Sequence, residues 1–154
     1  MAILAAVCTP ADATSPPSPP PPTVAEIVST TQAVFIGRVE SVTWQPIVPS
    51  NPNAGLIAFR VTVTERLLGE ASLVPKRITY VAGSVSMAET QSRERYAGKS
   101  FIFVGHVFPL PSGEAKIMVP PSGELPHELL RASEFRRALR PALSPNPTVT
   151  RSTP

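Results

Sequence analysis

Few side chains in this sequence are of the types that do chemistry. Its one aspartate is Asp12, its one cysteine is Cys8, and its two histidines are His106 and His127. A serine–histidine–acid triad would need a glutamate in the acid role, because Asp12 falls in a segment that reads as a cleavable leader. His106 lies in the middle of an apolar run, where a structural histidine is expected. Structural zinc asks for four ligands, and two histidines without a cysteine partner make a poor site. Glutamates recur as Glu65 with Glu70 and as Glu89 with Glu94, in settings where ordinary surface charge accounts for them. A glycine-rich phosphate loop is missing. The expectation is a non-catalytic protein with no metal and no small-molecule cofactor.

The elements that position these residues are marked out by proline. The chain has 154 residues and 20 prolines, and 42% of its residues are hydrophobic, enough to give one domain with a core. Proline cannot donate to a sheet ladder, so it collects in connections and leaves the strands between them. Outside the termini the prolines sit at Pro46, Pro49 and Pro52, at Pro75, at Pro109 and Pro111, and at Pro120, Pro121 and Pro126.

Between these marks lie five strands. The first, Ala33 to Trp44, changes its apolar phase along its length, with Val34 and Ile36 on one side, Phe35 and Val39 on the other, and Val42 and Trp44 even again. A strand whose buried side changes must bend, and Gly37 marks the expected place. A packing glycine that admits a close neighbour is the alternative. The second strand alternates cleanly, with Ile57, Phe59, Val61 and Val63 facing inward and Ala58, Arg60, Thr62 and Thr64 facing water. The irregular loop Gln45 to Gly55 joins the two. Lys76 to Val85 is the third strand, with Ile78, Tyr80 and Ala82 on one face. A polar connection, Met87 to Gly98, leads to the fourth, Lys99 to Phe108, which is apolar on both faces and so must be central or covered by a helix. Ala115 to Val119 is the fifth.

Two helices flank the strands. Thr23 and Glu26 form a capping box for a short helix over Thr23 to Thr31, expected to plug one end of a barrel. Leu125, Leu129, Ala132, Phe135 and Leu139 share one helical face, and Pro141 is expected to end that helix. The fold class is mainly β: a small five-stranded barrel with a short N-terminal helix and a C-terminal helix.

Residues 1–13 resemble a short export leader, with an apolar run from Ala2 to Val7 and an Ala-x-Ala pattern at Ala11 and Ala13 that permits cleavage before Thr14. The basic n-region is missing, as a start placed too far downstream would explain. Residues 14–22 form an extended proline spacer, 23–140 the domain, and 141–154 a disordered Pro/Ser/Thr tail. The location expected is extracytoplasmic, with membrane attachment only if Cys8 carries a lipid. One cysteine excludes an internal disulfide, and no apolar run approaches the ~18 residues of a spanning helix. The formal charge of +3 comes mostly from arginine, 11 of the 14 basic residues, spread along strands and the last helix as on a solvated mixed surface.

Taken together, the strand phrases resemble the netrin-like, or tissue-inhibitor-of-metalloproteinases-like, domain, an OB-fold barrel. A phrase such as A-D-x-V-F-x-G-x-V opens the first strand in bacterial members, and here it reads TQAVFIGRV, with Val34, Phe35, Gly37 and Val39 matching and Gln32 in place of the acid. The family's V-L-K-G appears within FRVTVTERLLG, with Leu68 for the lysine and Gly69 kept, and its G-K-x-Y-L-V-F-A as GKSFIFVG from Gly98. The resemblance covers about Val24 to Arg140. It implies an inhibitor-like or protein-binding module. The family's C-x-C, whose first cysteine reaches a protease zinc, is missing here, so zinc-directed inhibition is not implied. Positions equivalent to the family's contact loops are Trp44 and Gln45, and Ser84, Val85, Ser86 and Met87, with Trp44 and Met87 as exposed anchors for an unidentified protein partner. Trp44 as a cap on the barrel core is the bland alternative.

Two other functions fit the same chain less well. An OB-fold that binds single-stranded nucleic acid would use Arg60, Arg66, Arg93 and Arg95 on phosphates and Trp44, Tyr96 and Phe108 for stacking. A structural envelope lipoprotein domain would use the spacer as a stalk, with Arg131, Arg136, Arg137 and Arg140 of the last helix toward an anionic membrane. Packing of that helix on the barrel is the stronger expectation.

Overall fold

The computed structural model describes residues 20–109, 116–120 and 125–143. The leader, Cys8, most of the proline spacer and the tail beyond Leu143 lie outside the described residues. The first element is α1 (Val24–Ser29), which begins as its capping box dictates. The Glu26 N–H donates to Thr23 Oγ1 at 3.3 Å, and the Thr23 N–H donates back to Glu26 Oε2 at 2.7 Å. The Thr23 N–H foremost, and then the Thr23 hydroxyl, which donates to the same Glu26 Oε2 at 2.8 Å, hold the Glu26 carboxyl below its ordinary pKa.

The chain is mainly β with helices. Four long strands, β1 (Ala33–Pro46), β2 (Gly55–Leu68), β3 (Arg77–Val85) and β4 (Ser100–Pro109), form an antiparallel sheet in the order β3–β2–β1–β4. The short β5 (Lys116–Val119) pairs antiparallel with β4 over His106 to Pro109 and parallel with β3 at Thr79 and Tyr80. Through β5 the strand order β1–β2–β3–β5–β4 returns to β1.

Two apolar clusters follow from strand alternation. The inner one gathers Phe35, Phe59, Tyr80, Tyr96 and Phe103 with Val39, Val42, Ile57 and Val61. Its rings meet at centroid distances of 5.2 Å for Phe35 with Phe103 and 4.8 Å for Tyr80 with Phe103. The outer cluster joins Val34 and Ile36 of β1 and Ile102 and Val104 of β4 to Val24, Ile27, Phe135 and Leu139. β4 is apolar on both faces because each face is covered. The expected plug at a barrel end is not what α1 forms: its buried residues join the outer cluster with the C-terminal helix, on the side of β1 and β4 away from the inner core.

The phase change in β1 occurs at Glu40, not at Gly37. Val39 pairs with Val61 and Ser41 with Arg60, so Glu40 is the extra residue of a bulge, after which Val42 returns to the inner cluster. Another register shift separates Ile36 from Gly37. At Gly37 itself a Cβ would stand 2.3 Å from Val61 Cγ1 and 3.0 Å from the Thr62 carbonyl, so the glycine there also admits the neighbouring strand. A further bulge lies in β3, where Val81 pairs with Ala58 and Gly83 with Ile57, so Ala82 is the extra residue, and the φ of +86° at Gly83 suits glycine. It carries both Ala82 and Val85 inward.

Two segments depart from expectation. The polar connection after β3 contains a helix, α2 (Glu89–Tyr96), which buries Ser92 and Tyr96, four residues apart, against the inner cluster. The C-terminal helix α3 (Ala132–Leu143) starts later than Leu125, after a 3₁₀ turn at Leu129–Arg131. Backbone pairing is the reason: His127 and Ile102 exchange both N–H···O bonds at 2.8 and 2.9 Å, which holds the chain before the turn extended. α3 also runs past Pro141 to Leu143, beyond the expected start of the tail. A proline that late withholds only one donor from the helix ladder. As expected, the helix packs on the sheet, with Phe135 fully buried.

Candidate protein-binding surface

The six residues expected at a binding surface come together at the β1–β2 hairpin end, and strand alternation divides them between two faces. The inward row is Trp44, Gly55 and Val85. Gly55 pairs with Val85 across β2 and β3, and the Trp44 indole covers Gly55, where a Cβ would meet its ring at 2.2 Å. The Trp44 Nε1–H donates to the Met87 carbonyl at 3.1 Å. Trp44 and Met87 are half-buried and pack against the inner cluster, so the expectation of two exposed anchors is corrected, and Trp44 closes that end of the core.

The outward row is Gln45, Leu56 and Ser84, paired across β1, β2 and β3. Gln45, Ser84 and Ser86 are exposed, and Leu56 between them is 48% exposed. Just past the end of β1, in the bend of the β1–β2 connection, Ile47 and Val48 are each 49% exposed. Sequence reasoning missed Leu56, Ile47 and Val48. The signal was present at Leu56, which falls in the even, water-facing phase of the second strand.

Of the residues assigned to nucleic acid, Arg93, Arg95 and Tyr96 share α2, Arg60 and Arg66 stand on β2, and Phe108 is on β4. Tyr96 is 1% exposed and sits in the inner cluster, 4.9 Å from the Phe59 ring, so no base can stack on it. Burial pushes its phenol pKa up, against a smaller opposing pull from Arg95. Arg60 stands on the outer face of β2 between Ser41 and Thr79. Arg66 donates to the Val74 carbonyl at 2.6 Å, and Arg93 pairs with Glu89 at 2.7 Å. Arg95 lies 5.6 Å over the Tyr96 ring. Phe108 is exposed, on β4.

Compared with known proteins, the chain matches no family model and no curated sequence.

No titratable group lies among Gln45, Ile47, Val48, Leu56, Ser84 and Ser86. His106 is half-buried and pairs through its backbone with Val119 of β5. No group of three or more histidine, cysteine, aspartate or glutamate side chains able to hold a metal occurs among the described residues. No helix of the described residues is long and apolar enough to cross a membrane.

Proposed function

We propose that this chain is an exported, non-catalytic protein-binding module, an OB-fold-type barrel of the netrin-like kind that acts without the cysteine-dependent zinc mechanism. The strand pairings, which run β1–β2–β3–β5–β4, support the barrel reading. One observation carries the binding reading: Leu56 stands exposed on the outward row between the uncharged polar side chains of Gln45 and Ser84, with the exposed Ile47 and Val48 in the bend just past β1. An apolar centre inside a polar rim, depleted of charge, is the composition of an interface core. The partner is a protein with a complementary apolar protrusion.

A photo-crosslinking residue placed at Leu56 in the native host tests this reading. A discrete protein adduct that forms outside the cytoplasm, and disappears when Ile47 is changed to Asp, is the expected result. Absence of any adduct, with salt-sensitive binding of single-stranded oligonucleotides instead, overturns it.

A further inference from the structure

We propose that the groove beside the start of β4 takes an extended peptide from a partner protein, one that carries an acidic side chain next to a bulky apolar one. The groove has a volume of about 510 Å³ and is lined by Arg95, Lys99, Ser100, Phe101 and the stretch from Glu128 to Leu130. Three independent features give it this specificity.

The first is an open ladder position. Val39 N–H donates to the Lys99 carbonyl and Gln32 N–H to the Gly105 carbonyl, so the odd-numbered residues of β4 bond to β1. The even-numbered ones turn their backbone groups the other way. Ile102 spends both of its groups on His127, while β5 covers only His106 to Pro109. Ser100, two residues before Ile102, therefore presents its N–H and C=O into the groove. The pairing at His127 already places one extended residue along this edge, and an added strand would continue it, the mode in which peptides join sheet edges.

The second is the lip. Leu130 is 87% exposed and Leu129 43% exposed, beside the floor residue Phe101. A leucine as open as Leu130 on a turn has no packing role, and the pair stand where the side chain of an added strand would lie.

The third is charge. Neither Arg95 nor Lys99 has a carboxylate within ion-pair distance among the described residues: Lys99 Nζ donates to the Glu94 carbonyl at 2.9 Å, and Arg95 covers the Tyr96 ring. Glu128 is the one acid lining the groove, so the cations outnumber it and favour an anionic guest. An isolated lipid headgroup or nucleotide would satisfy the charge but leave the strand edge unused, which selects a peptide.

This groove is distinct from the Leu56 patch. Ser100 pairs with Arg38, seven residues along β1 from Gln45, or roughly 23 Å at strand spacing. Failure here therefore leaves the reading of that patch intact.

The test is selection of a displayed random dodecapeptide library on the full chain, followed by affinity measurement of the enriched peptides and amide NMR. The expected result is an acidic–apolar consensus whose binding shifts the Ser100 amide. Leu130→Asp and Lys99→Glu should each weaken it about tenfold. Leu130 is exposed, so its replacement does not threaten folding. A basic consensus, no consensus, binding indifferent to both substitutions, a preference for anionic vesicles over every peptide, or a contact from the chain's own tail to Ser100 in the unliganded protein would each overturn the proposal.

Discussion

The Trp44 indole lies directly over the backbone of Gly55 on the adjacent strand, and its Nε1–H is anchored on the Met87 carbonyl at 3.1 Å. One glycine thus seats the ring, and the ring ties the segment after β3 to the β1–β2 hairpin. The same arrangement turns Gln45 and Leu56 outward, so the seat of Trp44 and the apolar patch are two consequences of one register.

Gly55→Ala should therefore disturb more than a loop. The new Cβ would meet the ring at 2.2 Å, so the indole has to leave its seat and give up the Met87 bond. A loss of about 1–3 kcal/mol is expected in urea denaturation. Trp44 is the only tryptophan, and its emission should move to longer wavelength in the folded state. Unchanged emission and stability would contradict the arrangement.

Phe135 is fully buried in the outer cluster, with the His127 ring 5.1 Å away and the Arg131 guanidinium over its face at 5.9 Å. Phe135→Ala should cost about 3–5 kcal/mol, and Phe135→Asp should be worse because it adds a buried charge. Leu130→Ala, on the exposed turn just before, should stay within about 0.5 kcal/mol of the parent. Equal melting temperatures for Phe135→Asp and the parent would show that α3 does not hold the sheet.

Tyr96 carries its ring into the inner cluster while its hydroxyl, buried too, has no hydrogen-bond partner among the described residues. Burial raises the phenol pKa in the folded chain, so the unfolded chain loses that proton first. Stability is then full below the ordinary phenol value near 10 and declines as pH rises above it. Tyr96→Phe removes the unpaired hydroxyl, so it should be neutral or stabilising by up to about 1 kcal/mol. It should also flatten the alkaline limb. A steeper limb in the variant would refute the assignment.

Glu26 gives the opposite pH dependence. Its carboxyl is held low in the fold, so its contribution is present above the ordinary carboxylate value and fades as pH falls through the lowered one. A carbon-detected titration should place its midpoint below that of a free glutamate. Because the backbone N–H of Thr23 is the larger cause, Thr23→Ala should raise the midpoint only part of the way. Full return to the free value would mean that the hydroxyl, not the N–H, holds the carboxylate.

Much of this fold could be read from local pattern. The strict alternation from Ile57 to Val63 named the buried face of β2, and Thr23 with Glu26 gave the start of α1. The doubly apolar β4 announced that something covers its second face. These features depend on residues a few positions apart, whose geometry is fixed by the period of a strand or the first turn of a helix. Partner choice was not legible. That Glu40 is the residue left over in β1 depends on which residues of β2 stand opposite, and that Leu125 to Glu128 stay extended depends on the backbone of Ile102. α2 shows no helical apolar stripe, and Ser92 and Tyr96 are buried only because the inner cluster lies beneath them. The binding surface divided in the same way. The family resemblance put Trp44, Gln45 and Ser84 among the candidates, but neighbours in a strand point to opposite faces, so only pairing across β1, β2 and β3 could send Trp44 inward and leave Leu56 outside.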